Sequence, residues 1–468
     1  MSEQEHKLEM YGGIFGGLIP LLVLIIGLVW LSVAQRGGTK PFWACAWIAL
    51  AVGLFFAKNK QDYCLAAMRG IGDKTGIVIV TAWLFAGVFG SLMAAGGLVK
   101  GLLWIGMTTG AQGSIFVCLV FLAAMLFALG TGTSTGTCIA LSPVLYPAGV
   151  FLGADPAMCA LAILSGAAFG DNLAPISDTT IVSAYTQGAT MRDVVKSRFP
   201  LSVSAAAIAM VIFFIFGGNG HAASLPEIQA NLDPKGAAML LALAVVVISA
   251  LRGRHIIESL IYGNVAAAVI GIAIGNLVPT SIFGIPAKSG ASTGIVQNGI
   301  EGVVGAIIFA ILILAVTQIL VECGIMRRVL EIAHKSFVST VRQAEFFIIG
   351  VTILASIPIS ANAPAELLVG PSLVKPTGEK FGLAAARRAN LMDCAVCTVF
   401  FILPWHIAVA AWYGAVHSAA EAYGIAAPSI SAALYNPYSW ALLAVLTFSA
   451  FTGWNRKFAN AGEKGEGA

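Results

Sequence analysis

Apolar stretches of about 16 to 25 residues recur from one end of this chain to the other, each close to the length that crosses a hydrocarbon core of about 30 Å. Nothing else in the sequence constrains the fold as strongly. A backbone inside hydrocarbon must satisfy its own hydrogen bonds, so the expected fold class is an all-α polytopic membrane protein. Composition agrees: of 468 residues, 58% are hydrophobic and 10% are charged, and no soluble domain fits between the apolar runs.

Hydropathy predicts about ten spans, at 11–34, 41–57, 75–98, 156–187, 198–217, 236–251, 256–276, 300–322, 388–414 and 437–454. The first reads as a retained helix, with no targeting peptide before it. Two segments, 113–150 and 344–375, are instead pairs of apolar arms joined by polar tips, GTGTSTG at 130–136 and SANAP at 360–364. Unpaired backbone cannot face lipid, so both read as re-entrant hairpins buried against protein. With the N-terminus inside and each hairpin returning to its own side, only Arg36, Lys40, Lys100, Lys235 and Lys288 fall outside, and the other 21 of the 26 Lys and Arg fall inside. This arrangement repeats three spans, a hairpin and two spans. Residues 1–217 and 218–468 are thus expected to be two inverted-repeat units, as in secondary transporters whose sites lie where interrupted helices meet.

Carboxylates within spans are costly and mark ion or substrate paths. Asp171, Asp178, Glu258 and Asp393 are the candidates. The first two lie in SGAAFGDNLAPISDTT (165–180), where Gly170 and Pro175 should interrupt the helix and free carbonyl oxygens. Those carbonyls, with Asp171, Asn172, Ser177, Asp178, Thr179 and Thr180, suit a dehydrated Na+. The tips add Thr131, Thr133, Ser134, Thr135 and Thr137 on one hairpin and Ser360 and Asn362 on the other. A plainer reading is that such hydroxyls bond back to the preceding turn or let helices approach. Glu258 has Arg254 one turn away, so it is either functional or simply paired. His406 is either a proton relay or a neutral core histidine.

Other patterns weigh less. The eight cysteines lie mostly in apolar runs and suggest no disulfide framework; Cys394 and Cys397 form a CxxC without further ligands. GTSTG at 132–136 fits the hydrolase elbow, with Ser134 and His406 as a conceivable pair, but no strand leads into it. Gly12, Gly13, Gly16 and Gly17 form overlapping GxxxG motifs read as helix packing or a dimer face. The stretch 326–342 reads as an interfacial arm. No basic cluster suggests nucleic acid, and no buried Arg offers itself as a carboxylate clamp, which favours a cation over an organic anion.

SGAAFGDNLAPISDTT with the preceding GTSTGT resembles the hallmark of the NhaC-type Na+/H+ antiporter family of the ion transporter superfamily, and RRANLMDCAVCTVFFILP (387–404) is similar to its counterpart in the second half. The resemblance implies an elevator-like carrier and maps roles onto Asp171, Asn172, Ser177, Asp178 and Thr179, and onto Asn390 and Asp393. The expected function is a Na+-coupled secondary transporter, most simply a Na+/H+ antiporter and not an enzyme. Na+ would sit at Asp171, Asp178 and Asp393, with no cofactor beyond Na+ and H+ as transported ions. The alternative is Na+-driven transport or exchange of a small organic acid or amino acid at the tips; a channel is a further one. The implied setting is the plasma (inner) membrane, both termini cytoplasmic, with lipid, Na+, H+ and a small organic solute as partners, and a homodimer as elevator-like relatives often form.

Overall fold

The computed structural model describes residues 8–33, 39–72, 74–175, 177–218, 232–284, 294–324 and 338–459. The described chain is helical apart from turns and two isolated β-bridges. The first half comprises α1 (Ile14–Val33), α2 (Thr39–Phe56), α3 (Lys60–Ile71), α4 (Lys74–Ala95), α5 (Leu98–Thr109), α6 (Ser114–Thr131), α7 (Ser134–Phe151), α8 (Pro156–Leu173), α9 (Asp178–Gln187) and α10 (Met191–Phe216). The second half comprises α11 (Leu240–Leu251), α12 (Ile256–Ala273), α13 (Ile295–Glu322), α14 (Val341–Ser356), α15 (Asn362–Val369), α16 (Lys375–Lys380), α17 (Ala385–Val399), α18 (Ile407–Tyr423) and α19 (Pro437–Thr452).

Six of these stretches are long and apolar enough to cross a membrane, or seven if the α4–α5 pair, bent by 57°, counts as one. The protein is an integral membrane protein. The ten expected segments each fall on helix, but fewer meet the length of a crossing. The helices over 40–56 and 234–250 are shorter apolar ones, and the span expected at 388–414 is an interrupted one, made of α17 and α18. The stretch 326–342 lies mostly outside the described residues, as do Arg36 and Lys288.

Both polar tips sit at hairpin turns. Gly132 takes a left-handed φ of 65°, which ends α6, and Thr133 caps α7 by accepting a hydrogen bond from the Gly136 amide at 3.2 Å. At the other end the Gly113 amide donates to the Leu152 carbonyl at 2.9 Å, which closes the base. Each arm is about 27 Å long at 1.5 Å per residue, and α6 alone has the length and hydropathy of a crossing helix. In the second hairpin, α14 turns through 357–361 into α15, and a π-helical turn (Gly370–Val374) then leads into α16.

Two glycine expectations are corrected by packing. Gly170 does not interrupt the helix. It stays within α8, where an added Cβ would lie 2.2 Å from the Ala128 Cβ of α6, and one at Gly166 would lie 2.5 Å from the Ala124 Cβ. The pair lets α6 and α8 touch backbone to backbone. The break belongs to Pro175, which forces Ala174 out of helical geometry to φ −66°, ψ 129°. Gly12 and Gly13, with φ of 77° and 61°, form a turn before α1 rather than a helical GxxxG face.

The core lies along α8 and α17. Every residue of Cys159–Leu173 in the first and of Ala386–Val399 in the second is buried. Outside this pair, α3 is tied to the end of α13 by a bidentate bridge from Arg69 to Glu322, at 2.8 and 2.6 Å. Buried Glu345 of α14 pairs with buried Arg387 of α17 at 2.7 Å and with the half-buried Arg456, beyond α19, at 2.6 Å.

Candidate functional site

The break in α8–α9 creates the site. Pro175 removes helical donors and leaves the end of α8 with free acceptors. Asp171, one turn before the break, is 2% exposed. Its Oδ1 accepts a hydrogen bond from the Ser177 hydroxyl at 2.8 Å. Its Oδ2 accepts from the Ser134 hydroxyl at 3.1 Å and from the Asn362 amide at 2.9 Å. One buried carboxylate thus joins the broken helix to the tips of both hairpins. Thr179 completes the cluster, bonding to the Ser177 hydroxyl at 3.0 Å and donating to the Asp171 carbonyl at 3.2 Å.

Asp178 begins α9, accepts from the Thr179 amide at 2.9 Å and is exposed, unlike its neighbours. A carboxylate is favoured there by the helix N-terminus. The remaining tip hydroxyls divide. Thr131 and Thr137 bond back to the carbonyls of Phe127 and Thr133, as the plainer reading had it. Thr133 caps its helix and lies 3.4 Å from the Thr135 hydroxyl. Ser360 turns away from Asp171, pairing with Thr317 of α13 at 2.8 Å, while its carbonyl accepts from the Ile407 amide at 3.1 Å.

Asp393 lies in a second, ionic cluster. Its Oδ2 is 2.5 Å from the Arg198 guanidinium, both side chains being wholly buried. Arg198 also donates to Asn390 at 2.9 Å, to the freed Asn172 carbonyl at 2.6 Å, to Thr180 at 3.0 Å and to Ser183 at 3.2 Å. The sequence offered no buried Arg as a carboxylate clamp, yet Arg198 is one for Asp393. Arg198 follows Lys196 at the start of a long helix and reads as a loop charge, although it is in the core. Its fork is already filled by the protein. Asn172 braces the two clusters, donating to Asp393 at 3.1 Å and accepting from Ser202 at 2.6 Å and Tyr438 at 3.2 Å.

Asp171, Asp178 and Asp393 do not form one three-carboxylate cage; among the described residues no three His, Cys, Asp or Glu side chains converge as metal ligands. Nor are all the freed carbonyls open, since those of Asp171 and Asn172 are taken by Thr179 and Arg198. The cysteines of the CxxC line the ionic cluster: Cys397 donates to Asp393 at 3.3 Å, and Cys394 lies 3.6 Å from the Asn172 amide.

His406 and Glu258 stand apart. His406 is buried at the start of α18 beside Phe400, with their ring centroids 5.4 Å apart, and neither ring nitrogen makes a hydrogen bond to a described residue. It does not pair with Ser134, whose hydroxyl is committed to Asp171. Glu258 is bridged to Arg254 at 3.4 Å and accepts from Tyr262 at 2.7 Å on a partly exposed face, as the pairing reading had it. Besides Arg198, a second residue escaped the sequence reading. Glu366 of α15 is wholly buried, four positions after Asn362. A carboxylate one turn past a hairpin tip was the signal available.

Comparison with known proteins agrees with the resemblance read from the sequence. Residues 68–218, which take in the first hairpin, the broken helix and Arg198, match the model of the Na+/H+ antiporter family. The chain is 25% identical over 308 residues to the Malate-2H(+)/Na(+)-lactate antiporter of Bacillus subtilis, covering 62% of this chain and 65% of that protein. It is 26% identical over 265 residues to the Na(+)/H(+) antiporter NhaC of Alkalihalophilus pseudofirmus, covering 55% of each. The aligned region thus spans about 65% and 55% of the length of these two curated relatives. Among solved structures, the Alcanivorax borkumensis YdaH transporter aligns with a TM-score of 0.41 at 14% identity, over 85% of this chain and 90% of that one.

Proposed function

We propose that this relative of the NhaC-type Na+/H+ antiporters is a Na+-coupled secondary transporter that exchanges Na+ for H+ by alternating access. The observation that carries the reading is Asp171, a buried carboxylate held at once by Ser177 at the helix break, Ser134 of one tip and Asn362 of the other. A desolvated carboxylate surrounded by rotatable hydroxyls can trade their protons for a cation, because each hydroxyl oxygen turns to become a ligand. Asp178, exposed at the N-terminus of α9, is the group an entering cation meets first. Asp393 is not a Na+ ligand in this account, since Arg198 already neutralises it; it fixes α17 against α8 and α10.

A proton on a buried carboxylate and a cation bound among the same group of carboxylates are alternative ways to offset their charge, so Na+ and H+ exclude each other. Exclusion at a site that opens to each side in turn is antiport. The two hairpins and broken helices would form the moving part, in two inverted-repeat units, each hairpin entering and leaving on its own side. The chain would lie in the plasma (inner) membrane with both termini cytoplasmic.

The test is purified protein in proteoliposomes with a trapped pH dye and Na+ added outside. Prompt Na+-dependent proton movement that Asp171→Asn abolishes is expected; the same movement in Asp171→Asn would contradict the assignment. A second reading, Na+-coupled exchange of a small organic acid, draws on the name of one relative. Arg198 is the buried cation such a substrate would need, but its donors are occupied by Asp393, Asn390, Asn172, Thr180 and Ser183.

A further inference from the structure

Glu366 is wholly buried, and neither of its carboxylate oxygens has a hydrogen-bond partner among the described residues. The contrast with Asp171 is sharp. Asp171 receives three hydrogen bonds that call for acceptor oxygens, and Glu366 receives none. An ionised carboxylate without donors or a counter-ion costs several kcal/mol to bury, whereas a neutral COOH group carries a far smaller penalty.

Its surroundings reinforce this. The helix α15 packs against α9, α14, α17 and the π-helical turn. The charged groups acting on Glu366 are Asp393 of α17, Arg198 of α10, Asp178 of α9 and Asp171 of α8. Arg198 is consumed by Asp393. On α14, Arg342 is exposed and lies over the Phe451 ring, and Glu345 is held by Arg387 and Arg456; on α17, Arg388 is held by Gln187 and Glu379. Among the described residues acting on Glu366, that leaves the negative charge of Asp171 and Asp178 unpaired. The π-helical turn that follows α15 is a distortion often found at working sites.

We propose that Glu366 carries the proton exchanged for Na+, so that the cation site at Asp171 and the proton site are two different carboxylates. This rests on the antiport reading. With no cation bound, Glu366 is a neutral acid. When Na+ settles at Asp171 and Asp178, its positive charge offsets the two carboxylates, the O–H bond of Glu366 breaks, and the proton leaves as Na+ stays. One positive charge enters and one departs, so the charge of the cluster is unchanged.

The experiment uses purified full-length protein with Na+ as the only ligand. Na+ binding is measured against pH for wild type, Glu366→Gln and Asp171→Asn, alongside proton release into weak buffer on adding Na+. Wild type should bind Na+ about tenfold more weakly per pH unit on the acid side, the slope of one-proton linkage. Glu366→Gln should bind Na+ with no slope and no proton release, and Asp171→Asn should not bind Na+. A slope retained in Glu366→Gln overturns the proposal while leaving antiport intact. Wild-type binding with neither slope nor proton release overturns antiport itself, and the proposal with it. A measurement on wild type alone guards against a variant that fails to fold: a hydrophobic carbodiimide, which attacks protonated buried carboxyls, should label Glu366 and be blocked by Na+. Labelling at Asp171 in place of Glu366, or none, contradicts the proposal.

Discussion

At the scale of single residues, the two clusters differ in what they should cost to disturb. Arg198 and Asp393 are wholly buried and hydrogen-bonded, so removing one partner strands a charge. Arg198→Gln or Asp393→Asn alone should destabilise the protein by about 3 to 5 kcal/mol, and the double substitution should recover part of that loss. Thermal unfolding in detergent checks it; equal losses in the single and double variants would contradict the pair. Ser177→Ala and Asn362→Ala remove one donor each from Asp171 and should weaken Na+ binding without abolishing it. Asp171 was legible in the sequence because a carboxylate beside Pro175 in an apolar run has few structural uses. Arg198 and Glu366 were not, because each sits near the end of a helix where a charge ordinarily meets water. They are buried only in the fold, where α10 packs against α8, α17 and α19, and α15 against α9, α14 and α17.

At the scale of elements, the hairpins and the break were readable from local chemistry. Gly132, Thr133 and Pro175 act through their own backbone, and the structure places turn, cap and break where those residues stand. Gly170 was misread because a glycine's function depends on its neighbour, here Ala128 of α6 at 2.2 Å from a built Cβ. Gly170→Val should therefore separate α6 from α8 and lower the yield of monodisperse protein, as read by size-exclusion chromatography; normal yield and stability would mean that the helices have slack. Gly132→Ala should cost about 1 to 2 kcal/mol, the penalty of a left-handed conformation with a Cβ, and leave Na+ binding unchanged.

At the scale of the whole molecule, the sequence of hairpin, broken helix and closing helix occurs twice: α6 to α10, then α14 to α19. The helices α7 and α18 face α4 and α13 across a crevice of about 450 Å3 lined by Gly87, Ser91, Pro143, Asn298 and Ser418. If transport moves one group of helices past the other, a bond across that crevice must stop it. A Cβ built at Gly302 of α13 lies 3.7 Å from the Ser418 hydroxyl of α18. The double variant Gly302→Cys, Ser418→Cys is in reach of a disulfide, so oxidation should halt transport and reduction should restore it. Transport undiminished in the fully cross-linked protein would rule out motion at this boundary. The spans were legible by length and hydropathy, but which of them touch was not, since α8 and α17 are more than 200 residues apart and meet only in the fold.

The most direct measurement is equilibrium binding of radioactive Na+ to purified protein, comparing wild type with Asp171→Asn, Asp178→Asn and Asp393→Asn, each first shown to be folded. Saturable binding that Asp171→Asn abolishes, Asp178→Asn weakens and a folded Asp393→Asn retains would be the predicted result. Undiminished binding in Asp171→Asn would contradict the account, because the cation would then sit away from the point where the broken helix and the two hairpin tips converge.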